Sequence, residues 1–180
     1  MNTKPAPGWL PSPLVVDSNW DAFLQSCFEV FQRDFVNSKP RCLGRPLFHD
    51  SRIDREDPPP GRPLGFWHLT TTIEHMYDSQ SRGMVVMGRL PELQRAARIN
   101  WVLPSIEHAR DAAHIMWDYQ EASGKIRTYI WNESQDWLVI VEKQNRPKGT
   151  IYMLITSFLV KFESKRDDLE RKYRQRIVWK

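Results

Sequence analysis

Several things are scarce or missing in this 180-residue chain. There are only two cysteines, Cys27 and Cys42. Their spacing fits neither a zinc site nor a redox pair, so a disulfide scaffold has no support. Glycine occurs eight times, but GRLPELQR and the other glycine neighbourhoods fail both dinucleotide-binding and P-loop spacing. G-x-S-x-G and H-E-x-x-H are absent, so neither a serine-hydrolase elbow nor a zincin helix is expected. No apolar run approaches eighteen residues, so no membrane partner is expected. The opening MNTKPAPGWLPSPLVV has prolines where a signal peptide needs an apolar helical segment, so a cytoplasmic location is expected.

What is present reads as one globular domain over 1–180, with 41% hydrophobic and 27% charged residues. Net charge is +4 with a pI of about 9.2. From 161 to 180 there are eight Lys/Arg against four acids, a surplus equal to the net charge. Such a basic end is either an electrostatic footprint for a polyanion or a solvated helix face.

Residues 1–16 read as extended. Over 17–36, Trp20, Phe23, Leu24, Cys27, Val30 and Phe31 follow helical spacing, with Asp17 or Ser18 as cap. Residues 37–63 read as a long Pro/Gly/charge-rich loop. Phe66 to Thr71 reads as a short strand, with His68 and Thr70 on one face. Short helices are expected over 91–100, begun by Pro91, and from Ser105 to about 111. KIRTYIW (125–131), DWLVIVEK (136–143) and TIYMLITSFLVKF (150–162) are strand-like and separated by short connections, which predicts an antiparallel meander. A polar helix over 163–175 follows. The fold class is α+β: an N-terminal helix and short helices on a mainly antiparallel sheet of about four strands, with a C-terminal helix.

Glu74–His75 and Glu107–His108 are adjacent acid–histidine pairs, but neighbours in sequence do not face each other on a helix. His49, His75, His108 and His114 read as surface or structural residues. The remaining polar residues suit metal-free phosphodiester chemistry, which needs a general base, cations for the phosphorane and protonation of the leaving oxygen. His68 can act as base or acid, or be a satisfied strand residue. Arg95 and Arg98 can hold a phosphate or pair with surface acids. Thr156 and Ser157 place hydroxyls in an otherwise apolar strand, Trp101 and Tyr129 offer stacking surfaces, and Trp101 and Trp131 can instead be core bulk.

In that order, FWHLTT (66–71), RAARINW (95–101), RTYIW, DWLVIVEK and LITSF (154–158) resemble a phage- and prophage-borne group. It is similar to the nucleases of the barnase–EndoU–colicin–RelE (BECR) superfamily, over roughly residues 45–162. The resemblance implies a metal-independent endoribonuclease without cofactor that leaves a 2′,3′-cyclic phosphate, often a toxin or phage-defence effector. It implies His68, Arg98 and Thr156 as catalytic; beside them, Arg95, Trp101, Tyr129 and Ser157 are expected to bind substrate. Expected partners are RNA, including tRNA, and an antitoxin or immunity protein. The alternative is a non-catalytic RNA-binding or defence-complex protein on a nuclease-like scaffold.

Overall fold

The computed structural model describes residues 5–53, 61–78, 80 and 82–178, without the side chains of residues 75, 77, 78, 86 and 87. The environment of the His75 ring and part of the 37–63 segment therefore lie outside the described residues.

Helix α1, Trp20–Phe31, is capped by Asn19, one residue after Ser18 and two after Asp17. The Asn19 side-chain oxygen accepts from the N–H groups of Asp21 and Ala22 at 3.0 and 3.2 Å, satisfying free donors of the first turn. Asp17 instead accepts from the N–H of Asn19. Phe23, Leu24, Cys27 and Phe31 form the buried stripe, each phenylalanine or leucine contributing about 1.5–3 kcal/mol of transfer free energy. A π-helical turn, Gln32–Val36, continues α1 and carries Phe35 into the core.

The segment expected to be a plain loop contains two short strands, β1 (Arg41–Cys42) and β2 (Arg45–Phe48). Helix α2 (Leu64–Thr70) follows, then the hairpin β3 (Thr71–Asp78) and β4 (Gly83–Pro91). Short helices α3 (Leu93–Ala96) and α4 (Val102–Glu107) flank a 3-10 turn at Ile99–Trp101. The helices expected over 91–100 and 105–111 are therefore shorter and shifted. Pro91 ends β4 rather than starting a helix, and Ser105 lies buried within α4. Strands β5 (Ile115–Gln120), β6 (Ile126–Asn132), β7 (Trp137–Arg146) and β8 (Gly149–Leu159) precede helix α5 (Glu163–Arg174).

The fold is α+β. The sheet has six strands, in the order β1-β2-β8-β7-β6-β5, rather than about four. The antiparallel meander β5–β8 is its body. Strand β2 adds in parallel to β8, but only through Leu47↔Tyr152 and Phe48↔Met153. Alternation divides the side chains between two cores. Ile130, Val139, Val141 and Leu154 meet α1, α2 and the short helices, while Trp117, Tyr129, Trp131, Leu138 and Ile140 pack with Leu169 of α5.

Of the expected strand over 66–71, residues 66–70 are helical and only Thr71 is extended, as the first residue of β3. Thr70 and Thr71 donate side-chain hydrogen bonds to the carbonyls of Phe66 and Trp67 at 3.1 and 2.7 Å, contacts that only helical spacing brings within reach. Phe66, Trp67, Leu69 and Thr70 point inward and His68 is half-buried. His68 and Thr70 therefore do not share a face. The approach of α2 depends on Gly65: a Cβ there would stand 3.1 Å from the carbonyl oxygen of Asp50 and from Cβ of His49.

Candidate functional site

Where β2 stops pairing, the C-terminal end of α2 lies against β8. A shift of register between Ile140 and Val141 makes Ile140 face Thr156 and Val141 face Leu154, leaving Ile155 as a bulge on β8. Bulges re-aim side chains. Here two consecutive residues, Ile155 and Thr156, line one cleft that regular alternation would have split between faces. The cleft has a volume of about 390 Å³ and is completed by His68, Thr71, Thr72, Ile73, Arg89 and Arg95. A second hollow of about 520 Å³ shares Thr72 and Arg95 with it and continues past Phe158, Lys161, Phe162 and Lys165. Together they form a groove from His68 to the start of α5.

Arg95 is the structural centre of the cleft. Its Nη1 donates to the carbonyl of Thr71 at 2.8 Å, and its Nη2 reaches the His68 carbonyl and the Thr156 hydroxyl. The Thr156 hydroxyl in turn donates to the His68 carbonyl at 3.1 Å. One guanidinium therefore ties α2, the start of β3 and β8 together through its rigid fork. Burial pushes its pKa down to about 10, with Arg89 adding to the effect and Glu92 opposing it. The same burial, then Arg89, lowers the pKa of His68 below its ordinary value, while Asp50 pulls it back. His68 is thereby kept a neutral imidazole at pH 7, able to take up a proton.

His68, Thr156 and Arg95 are thus brought together. Arg98 is not among the residues lining this cleft. Its Nη1 donates to the Gln94 carbonyl at 2.8 Å, and its guanidinium lies 4.9 Å from the ring centroid of Trp101. Trp101 is only 5% exposed, stands edge-on to Trp137 at 5.7 Å, and donates from Nε1 to the carbonyl of Pro11. It has no open face for a base. Tyr129 is 2% exposed and belongs to the opposite core. It stacks on Trp117, donates to Glu121, and accepts from Lys172 at 2.8 Å. Ser157 is fully buried. Trp101 takes the core position that is the alternative to stacking, and Tyr129, expected as a stacking surface, is core as well.

Arg89, Thr71 and Thr72 were not singled out from sequence. The β3–β4 hairpin, which pairs Ile73 with Arg89, brings them to the cleft. Among the other histidines, His108 lies parallel to Trp9 at 4.6 Å, and His114 Nδ1 is 2.9 Å from the His108 carbonyl. His49 stands edge-on to Phe31. Among the described residues, no three His, Cys, Asp or Glu side chains converge, and no helix is long and apolar enough to cross a membrane. Comparison of the chain with protein families, curated proteins and solved structures gave no match.

Proposed function

We propose that the protein is a metal-independent endoribonuclease of BECR type, acting on RNA or tRNA in the groove that starts at His68. The observation that carries this reading is one half-buried histidine, kept neutral beside Arg89 and Arg95 in a cleft lined by threonine hydroxyls. His68 takes the proton of a ribose 2′-OH, and the 2′-oxygen attacks the adjacent phosphorus. The bond from phosphorus to the 5′-oxygen breaks, and that oxygen takes a proton from water at the open mouth. The products are a 2′,3′-cyclic phosphate and a 5′-hydroxyl. In this scheme Arg89 takes the phosphate-facing role expected of Arg98, and Thr156 positions the cleft through Arg95 and the His68 carbonyl.

A cytoplasmic toxin or phage-defence effector, held in check by an antitoxin or immunity protein, is the biological setting that goes with this chemistry. The test is incubation of the purified protein with total RNA and tRNA in EDTA, with the new ends analysed. Cleavage leaving cyclic phosphates, abolished in His68→Ala with the fold intact, is the expected result. Full activity in that variant would overturn the assignment.

One observation favours a second reading, RNA binding without cleavage. The two terminal nitrogens of Arg95 already serve internal acceptors, so this arginine offers a transition state less than a free one would. Salt-sensitive RNA binding with no product in either protein would decide for that reading.

A further inference from the structure

We propose a second ligand site, for a small phosphate-bearing molecule of mononucleotide size, at the far end of the sheet from the His68 cleft. The helix-facing side of the sheet changes character along its strands. On β7 the sequence on that face runs Val139, Val141, then Lys143; on β6 it runs Ile130, then Thr128; on β5, Met116, then Asp118. On β5 and β6 hydrocarbon gives way to the paired Asp118 and Thr128, and on β7 to Lys143, two residues beyond the Val141 that faces Thr128. A polar floor under a packed helix layer would be costly. Here it opens into a cavity of about 560 Å³, within the size range of small-molecule sites.

Four cations from separate parts of the chain converge on this cavity. Arg45 comes from β2, Arg110 from the turn after α4, Lys143 from β7 and Arg176 from the tail beyond α5. The tail is held there by the N–H of Ile177 donating to the Asp118 carbonyl at 2.8 Å, along the outer edge of β5. Asp118 is the one acidic residue of the lining. It accepts from the Thr128 hydroxyl and stands 3.7 Å from Lys143. Arg176 also packs over Tyr173 and donates to its carbonyl. Arg45 and Arg110 are exposed side chains facing the opening.

The chemistry recognised follows from this set. Guanidinium forks bind phosphoryl oxygens in pairs. The Asp118 carboxylate accepts hydrogen bonds from a sugar hydroxyl or an amino group. Leu43, Met116, Ile177 and Val178 supply an apolar wall for a planar ring. Three or four positive groups against one carboxylate favour a multiply charged ligand over a simple carboxylic acid.

The test is calorimetric titration of the full chain with GDP, ADP, pyrophosphate and the corresponding nucleosides. Nucleotides are expected to bind, with pyrophosphate weaker and nucleosides weaker still. Arg45→Ala/Arg110→Ala should weaken nucleotide binding about tenfold or more, as loss of charge-assisted contacts requires, with an unchanged melting temperature. His68→Ala should leave this binding as it is. The inference fails if no nucleotide binds, if nucleosides bind as well as nucleotides, or if binding is lost in His68→Ala but kept in the arginine variant. The last result would place the ligand in the other cleft. RNA cleavage by the protein is measured separately, so this site and the nuclease reading stand or fall independently.

Discussion

At the scale of single residues, His68 and Arg95 divide the work of the cleft between titration and architecture. The pKa of His68 is lowered below its ordinary 6.5, first by burial and then by Arg89. The unfolded chain therefore binds that proton more readily than the folded one. The stability His68 contributes is full above its unfolded pKa and is lost as pH falls through that value toward the folded pKa. His114 is shifted in the same direction, also by burial. Melting temperatures measured from pH 8 to pH 5 should fall less steeply in His68→Gln than in the parent; an identical slope would mean that His68 is not desolvated. Catalysis should follow the same protonation, with activity declining on the acid side as the imidazole charges. Arg95 carries the architecture. Arg95→Met takes the guanidinium donor from the Thr71 carbonyl and leaves the His68 carbonyl with only the Thr156 hydroxyl, and stability should drop by about 2–4 kcal/mol in urea unfolding. Arg95→Lys should recover little, because a single ammonium cannot span three acceptors on α2, β3 and β8. Equal stability of all three proteins would show the fork to be dispensable.

At the scale of elements, the meander was legible and the site helix was not, for a physical reason. KIRTYIW, DWLVIVEK and TIYMLITSFLVKF are rich in β-branched and aromatic residues with short connections, and β6, β7 and β8 follow them within a few residues. FWHLTT carries the same β-branched signal over six residues, too few for periodicity to separate helix from strand. Tertiary contact decides it: Phe66 and Leu69 are drawn into the core beneath α1, and the two threonines fold back on their own helix. The parallel joining of β2 to β8 and the bulge at Ile155 are long-range events with no local signature. Arg98 and Trp101 stay outside the cleft because the N-terminal segment packs on RAARINW through Pro11, Ser12 and Leu14, a long-range contact without a local signature. Tyr129 illustrates how an element is fastened. Its hydroxyl bridges Glu121 beyond β5 and Lys172 of α5. Tyr129→Phe should therefore cost about 1–2 kcal/mol and speed hydrogen exchange in α5 more than in α1. Uniform acceleration across both helices would show α5 to be no separate unit of stability.

At the scale of the whole molecule, the net charge of +4 is less informative than its placement. Cations gather at two ends of one sheet. One group flanks the His68 groove and the other rings the cavity near the β7–β8 turn. If single-stranded RNA runs from His68 toward α5, the cations it meets are Arg89, Lys161 and Lys165, since the terminal nitrogens of Arg95 serve internal acceptors. Lys161 lies 3.0 Å from Glu92 and Lys165 3.9 Å from Asp168, so RNA must displace these exposed pairs, which contribute little. Three phosphates neutralised on a single strand correspond to a slope of about −2 in log K against log salt. Lys165→Ala should reduce that slope by about 0.7 and weaken binding. His68→Ala should change neither quantity while removing cleavage, because its neutral ring displaces no counterion. Fluorescence anisotropy with a labelled single strand between 50 and 300 mM salt, a range chosen because electrostatic binding falls steeply across it, measures all three proteins. A slope that stays near −2 in Lys165→Ala, but drops in the Arg45/Arg110 double variant, would move the RNA to the other end of the sheet. His68 would then be a desolvated core-edge histidine rather than a base.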